Sequence, residues 1–260
     1  MGLPPRIRGE GRGLQKNKHC ARLNTVLKLK DFTRATDRRV DSARVQVQGF
    51  GHSQASKAVY QNRKYQNLLA SLESAGIHTV GFNRHTIDPR ILSEMESAYT
   101  KLAEIYPKET KGLILRYGFS KDKDTFGWYD PSKGEIVFNR NVFGNMDALA
   151  KSYAESAAVN LFPKNTDWRA LFYHEFGHRF SYVNNIDNLA AVKAMEQKLG
   201  YGYHTAKKAQ SMLEQRLSKY SAEITKPQYQ EVIAECFCEW YNSSEPRDFC
   251  ISFLEEVGIK

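Results

Sequence analysis

The chain has 260 residues, of which 41% are hydrophobic and 12% aromatic, so it can bury one substantial core. This excludes a small disulfide-stapled scaffold, and the four cysteines are predicted to be thiols in a reducing compartment. No stretch is long and apolar enough to span a membrane, and the start has no apolar signal region, so we expect a cytoplasmic protein.

The net charge of +9 is concentrated near the start of the chain. Residues 1–64 carry fifteen Lys/Arg against four Asp/Glu, whereas residues 65–260 carry 23 against 25. We predict a disordered or partner-dependent basic arm over residues 1–52, followed by one domain over 53–260. Such an arm can bind nucleic acid or an acidic protein surface, or it can be a solvated charge run without a partner.

The first half of the predicted domain alternates helices with strands. In chain order the pattern predicts a helix, a strand, a second helix and three strands, at 53–75, 77–82, 88–106, 112–118, 126–129 and 135–139. Gly76 ends the first helix, and Asp88-Pro89 begins the second because proline fits the first helical turn. The turn composition of residues 130–134 predicts a hairpin of the last two strands.

The second half is predicted to be helical. Besides the central helix described next, helices are expected at 147–162, 187–199, 205–220, 228–242 and 247–257. Gly200 ends one of these stretches and Pro227 enters another. Strands grouped in the middle, with helices on either side, predict an α+β fold.

The central helix contains the pattern H-E-x-x-H at His174, Glu175 and His178. Asp167 is its predicted N-cap, and aromatic side chains supply its apolar faces. One helical turn separates the two histidines, so both imidazoles can reach one metal ion. Glu175 lies slightly rotated from them, where a general base could deprotonate a water activated by the metal.

A later helix carries a carboxylate every four residues, at Glu231, Glu235 and Glu239. Like charges at that spacing destabilise an isolated helix by roughly a few tenths of a kcal/mol per pair, and a bound cation would compensate them. A solvated acidic face is the alternative. Catalytic zinc usually takes three protein ligands, so this helix can supply the third.

The order of these motifs, H-E-F-G-H and then E-V-I-A-E-C-F, resembles the gluzincin metallopeptidases. Within them it is similar to the group that includes the anthrax lethal factor catalytic domain and metallopeptidase-like proteins of phages and prophages. The resemblance covers about residues 110–245. It implies a zincin-like domain with a small mixed sheet, an active-site helix and a C-terminal helical part. Members commonly hold an extended substrate along an edge strand, but the sequence does not identify which strand is the edge.

The resemblance also implies the site residues. One catalytic zinc would be bound by His174, His178 and Glu231, and Glu175 would be the general base. Glu235 would lie behind the ligands and orient a ligating histidine through its other ring nitrogen. The family places an oxyanion-stabilising tyrosine before the ligand helix, and Tyr220 is the best match, with Tyr203 and His204 as alternatives.

The implied function is that of a zinc-dependent endopeptidase acting on a peptide or protein substrate. A regulatory peptidase that cleaves a repressor would share this chemistry. The alternative from another class is a structural or binding protein of a phage or mobile element, with a vestigial metal site. In that case residues 1–64 would dock on DNA or a capsid, and the protein would be associated with a virion.

Overall fold

The computed structural model describes residues 51–82, 87–121, 125–198, 206–222 and 230–259. In this part of the chain the helices are α1 (Gly51–Ser74), α2 (Pro89–Ile105), α3 (Pro107–Thr110), α4 (Met146–Ala158), α5 (Ala170–Val183), α6 (Asn188–Lys198), α7 (Ala206–Arg216), α8 (Lys219–Ala222), α9 (Gln230–Asn242) and α10 (Asp248–Glu256). The strands are β1 (His78–Val80), β2 (Ile114–Gly118), β3 (Gly127–Asp130) and β4 (Glu135–Asn139). The predicted α+β fold is confirmed. The predicted basic arm lies outside the described residues up to position 50.

The four strands form one mixed sheet in the order β1-β2-β4-β3. β1 and β4 both pair parallel with β2, whereas β3 pairs antiparallel with β4. The predicted hairpin is confirmed: the Asp130 carboxylate accepts the Ser132 backbone N–H at 3.0 Å, and Gly134 completes the turn with a φ of +67°. Because β4 lies between β2 and β3, β3 forms one edge of the sheet.

A tyrosine joins the sheet to the helices that cover it. The ring of Tyr99 on α2 lies 6.3 Å from Phe138 of β4 and from Phe172 of α5, and 6.4 Å from Phe176. All four side chains are fully buried. The Tyr99 hydroxyl also donates a hydrogen bond to the Phe172 carbonyl at 3.1 Å, which satisfies its buried polar atom. This packing fixes α5 over the sheet.

The helices α5 and α9 pack with their backbones in contact. A Cβ atom placed on Gly177 would lie only 2.8 Å from Cα of Ala234, so a glycine is required for this approach. Phe237 of α9 then packs between Phe176 and Phe180 of α5, with ring centroids 5.6 Å from each. Residues on the facing sides of the two helices are therefore held at short range.

Two predicted helix limits are wrong. The central helix begins at Ala170 rather than directly after Asp167, because residues 168–169 form a turn in which the Ala170 backbone N–H bonds the Asp167 carbonyl at 2.8 Å. The Asp167 carboxylate instead accepts the Arg169 backbone N–H at 2.9 Å. The helix expected over 147–162 ends at Ala158, because Asn160 takes a left-handed conformation with φ of 60°.

The helix expected over 205–220 is divided in two. α7 ends at Arg216, and a separate turn of helix, α8, carries Tyr220. The chain bends there because the backbone N–H groups of Lys219 and Tyr220 bond the carbonyls of Asn160 and Leu161, at 2.8 and 3.2 Å, instead of continuing α7. Both predicted helix-boundary signals Gly200 and Pro227 lie outside the described residues.

Smaller differences do not alter the topology. The first strand is shorter than the predicted 77–82, because Gly81 leaves the extended conformation with φ of +79°. Three of the cysteines, Cys236, Cys238 and Cys250, are buried free thiols, as predicted, and Cys20 lies outside the described residues. Within the described ranges no helix has the length and hydropathy needed to cross a membrane.

Candidate metal centre

The two motif histidines face one point. His174 and His178 lie one turn apart on α5, and their Nε2 atoms are 3.1 Å apart. Both residues are buried, at 2% and 8% exposure, in a helix whose other faces pack into the core. Two buried imidazoles need hydrogen-bond or metal partners, so this face of α5 is not explained by packing alone.

The third group comes from α9, across the close contact at Gly177. One carboxylate oxygen of Glu231, Oε2, lies 3.3 Å from the Nε2 atom of each histidine. Among the described residues this oxygen has no partner in hydrogen-bonding geometry. Three donor atoms of the types that zinc prefers thus converge within 3.3 Å of one another, so the donor set fits a divalent metal ion.

The pKa values of Glu231 and His174 are both shifted towards the charged form of the group. Burial opposes ionisation of Glu231, but the nearby His178 and His174 outweigh it and lower the pKa of Glu231 to about 2. Burial likewise opposes protonation of His174, yet the groups around its ring, Cys238, Glu231 and Glu235, raise its pKa well above the usual value. Both shifts have the sign that favours a positive charge beside the Glu231 carboxylate.

Glu235 lies one turn further along α9, behind His174. Its Oε1 atom is 2.8 Å from His174 Nδ1, and its Oε2 atom accepts a hydrogen bond of 2.6 Å from the Ser218 hydroxyl. A carboxylate at Nδ1 holds the proton on that nitrogen and leaves Nε2 free to bind a metal. The position of Glu235 beside Nδ1 is the one predicted, although its Oε1 and that nitrogen are not in hydrogen-bonding geometry. Ser218 was not anticipated.

Glu175 points from α5 towards the edge strand β3. It is 1% exposed, and a Cβ atom on Gly127 of β3 would lie 3.4 Å from its Oε1. Burial raises the pKa of Glu175 to about 7, although the two histidines and the Tyr129 backbone N–H act in the opposite direction. Its Oε2 atom has no hydrogen-bond partner among the described residues. The carboxyl group can therefore exchange a proton near neutral pH.

Tyr220 lies beside the centre. It is 8% exposed, and its ring centroid is 5.9 Å from that of His174. The alternatives Tyr203 and His204 lie outside the described residues. The structure thus brings five of the six residues predicted for the site into one cluster on α5 and α9, with Tyr220 against it from α8.

A second group of possible metal ligands shares His174. It combines the Nδ1 side of that ring with Glu235 and Cys238. The Cys238 thiol donates a hydrogen bond to the Glu235 backbone carbonyl at 3.2 Å, and burial raises its pKa, so the protonated thiol is favoured here. The first group is therefore the better metal site, and this one supports it from behind.

The third carboxylate of α9 has a different partner. Glu239 has no exposed surface, and the Arg247 guanidinium and backbone N–H both donate to it, the latter at 2.7 Å. The alternative of a solvated acidic face is wrong, because Glu235 is also fully buried and Glu231 is only 14% exposed at its side chain.

A cavity of about 460 Å³ opens beside His178. Its walls include Tyr129 and Pro131 from the end of β3, Tyr182 on α5, and Leu189 on α6. The space lies next to a histidine of the candidate metal centre and along the edge strand. It is large enough to receive a side chain of a bound peptide.

Three residues that build the site were missed from the sequence. Gly127 makes room for Glu175, Gly177 lets α9 approach α5, and Ser218 holds Glu235. A glycine within the H-E-F-G-H pattern is a signal of close helix contact that could have been read. Nothing in the local pattern distinguishes Ser218 from its neighbour Ser221. Comparisons with family models, curated proteins and solved structures found no match to this chain.

Proposed function

We propose that this protein is a zinc-dependent endopeptidase of the gluzincin type, with a zincin-like fold. The observation that carries the proposal is the convergence of His174 Nε2, His178 Nε2 and Glu231 Oε2 within 3.3 Å of one another. These residues would hold one zinc ion. When bound, the ion would supply a Lewis acid that polarises a peptide carbonyl and acidifies a water.

The chain's own groups supply the remaining steps. Glu175, with a pKa near 7 and an oxygen without a partner, takes a proton from the attacking water and passes it to the departing amine. Glu235 keeps the proton of His174 on Nδ1. Tyr220, from the side of His174, is the candidate donor to the developing oxyanion.

The sheet edge offers a place for the peptide. β3 is an edge strand, so one side of its backbone can pair with an extended substrate, as in other proteins that bind peptides by strand addition. Its residues lie against Glu175, and its end reaches the cavity beside His178. A peptide laid along β3 would pass the metal centre and place a side chain in that cavity.

The test begins with metal content. Wild-type protein is expected to bind one zinc per chain, Glu231→Ala to lose it, and Glu235→Ala to keep most of it at lower affinity. Glu175→Gln is expected to retain zinc but to lose at least about 10²-fold in peptide turnover, because the proton acceptor is gone. Turnover is measured by mass spectrometry on a diverse peptide library.

Two outcomes would refute the proposal. A wild-type protein that takes up no zinc after incubation with the ion would leave a binding protein with a zincin-like site. Full cleavage activity in Glu175→Gln would exclude the assigned base. In the first case the salt dependence of DNA binding by the full chain would test a role for the basic residues 1–64.

A further inference from the structure

We infer that Ser218 is a positioning residue of the metal centre: its hydroxyl holds Glu235 against His174 and at the same time forms the turn that carries Tyr220. The inference rests on the proposed function, because it concerns the affinity of the same site for zinc. It adds a residue that no feature of the sequence indicated.

The first half of the argument is the contact with Glu235. Ser218 is fully buried, and its Oγ donates to Glu235 Oε2 at 2.6 Å, a short distance typical of a bond to a charged acceptor. The other oxygen of the same carboxylate lies 2.8 Å from Nδ1 of His174. Glu235 is itself fully buried, and its Oε1 has no partner in hydrogen-bonding geometry among the described residues. The bond from Ser218 to Oε2 therefore does most to fix the orientation of the carboxylate.

The second half of the argument is the contact of Ser218 with the first turn of α8. The Ser221 backbone N–H donates to Ser218 Oγ at 3.0 Å, so the same hydroxyl caps the first turn of α8. Tyr220 stands within that turn, with its ring against His174. A hydroxyl is suited to both tasks because it can accept from an amide and donate to a carboxylate at once.

The turn that carries Tyr220 is also held by backbone hydrogen bonds, so Ser218 can be replaced without losing the turn. The backbone N–H groups of Lys219 and Tyr220 bond the carbonyls of Asn160 and Leu161, independently of the Ser218 side chain. Ser218→Ala should therefore keep the fold. It leaves Glu235 Oε2 buried without a donor, so the carboxylate can rotate and His174 is held less firmly.

The chain offers a matched control in the same turn. Ser221 is also a buried serine, and its hydroxyl donates to the Ser218 carbonyl at 2.8 Å. Its bonds are with Ser218 and not with Glu235. Ser221→Ala thus removes a hydrogen bond of the turn without removing the donor to the carboxylate, and it separates the structural role from the positioning role.

The experiment measures zinc affinity by competition with a chromophoric chelator, using the full chain. Ser218→Ala is expected to weaken zinc binding by about 10-fold, the lower end for partners behind a ligand, since it acts through Glu235. Ser221→Ala is expected to stay within about 2-fold of wild type, and Ser218→Thr, which keeps the hydroxyl, should restore affinity. The visible spectrum of the cobalt-loaded protein should shift in Ser218→Ala and not in Ser221→Ala.

A double variant tests whether Ser218 affects zinc affinity through Glu235. In a Glu235→Ala background, Ser218→Ala should cause no further loss of zinc affinity, because the group through which it acts is absent. If Ser218→Ala does not fold, Ser218→Cys, which keeps the size but donates weakly, replaces it with the same expected direction.

Four results would overturn the inference. Equal weakening by Ser218→Ala and Ser221→Ala would mean that the turn alone matters. If Ser218→Ala weakened zinc binding as much in the Glu235→Ala background as in the wild type, Ser218 would not act through that carboxylate. Wild-type affinity in Ser218→Ala would remove the role outright while leaving the proposed function intact, whereas absence of zinc binding by the wild type would refute both.

Discussion

The two ends of helix α9 use the same four-residue spacing of carboxylates for different purposes. Near its C-terminal end Glu239 is paired with Arg247, a cation that the chain itself provides. Towards its N-terminal end Glu231 and Glu235 face the imidazoles of α5. At the C-terminal end the carboxylate already has its counter-ion within the chain. At the N-terminal end Oε2 of Glu231 lies between two histidine nitrogens and has no hydrogen-bond partner among the described residues. A buried carboxylate with its own cation stabilises the fold, and one without it can bind a cation from solution.

The largest expected effect comes from breaking the completed end. Arg247→Ala leaves Glu239 as a buried charge without its cation and removes a bond of 2.6 Å to the Leu217 carbonyl. The free energy of unfolding should fall by about 3–5 kcal/mol, measured by denaturant titration of the metal-free protein. Excess zinc should leave the difference in unfolding free energy between wild type and variant unchanged, because the candidate metal site lies at the other end of the helix.

The control for this variant is Arg90→Ala. Arg90 pairs with Asp88 and Asp147 at the surface, where its side chain is 52% exposed, so a much smaller effect is expected. If both arginine variants lost the same stability, the distinction between a completed end and an open end of α9 would have no energetic basis.

An intermediate effect is expected where the two helices touch. Gly177→Ala places a Cβ atom 2.8 Å from Ala234 Cα and 3.1 Å from Phe237 Cβ, and backbone cannot move aside as a side-chain tip can. Overpacking of this kind should cost about 1–3 kcal/mol in unfolding free energy. It should also weaken zinc binding, since Glu231 would move away from the histidines. Unchanged zinc affinity at reduced stability would show that the ligands adapt to a wider helix separation.

The smallest effect concerns a carboxylate that links the start of α5 to the end of α9. Burial raises the pKa of Asp167, but hydrogen bonds from Arg169 and Asn242 outweigh it, and the net pKa is lowered. Its contribution to stability is therefore complete above the unfolded value of about 3.9 and is lost as the pH falls through the lowered folded value. Asp167→Asn should cost less than about 1 kcal/mol at pH 7, because the side chain is 42% exposed.

Unfolding at two pH values checks this prediction. The difference in stability between wild type and Asp167→Asn should be present at pH 7 and should shrink towards pH 2. A difference that grew on acidification would have the wrong sign for a carboxylate with a lowered pKa.

The sequence predicted helices and turns correctly where the residue type at one position determines the local backbone conformation. Asp88 caps α2, with its side chain accepting the Arg90 backbone N–H, and the proline after it stands in the first turn, as the sequence indicated. The hairpin of β3 and β4 followed from its turn. Among the limits that failed, the end at Arg216 depends on contacts with residues distant in the chain, as when Lys219 bonds Asn160. The end at Ala158 depends instead on the left-handed conformation of Asn160.

The sequence predicted the residues that could bind a metal, but it did not predict the residues that hold them in position. The spacing of His174 and His178 fixes their common face, so their convergence needed only a helix. The approach of Glu231 depends on the packing of α9 against α5, which the sequence suggested only through a resemblance. Ser218 reaches Glu235 because α7 stops before it, and no local signal marks that stop.

The distance along the chain between the residues of the candidate metal centre has a consequence for synthesis. His174 and Glu231 stand 57 positions apart, so at 5–20 residues per second the ribosome adds the second on the order of 3–11 s after the first. Throughout that interval Phe176 and Phe180 lack Phe237, their neighbour on α9, and the nascent chain has an unpaired apolar surface. Capture of a metal ion would then mark the completion of folding, well after the histidine motif itself has been made.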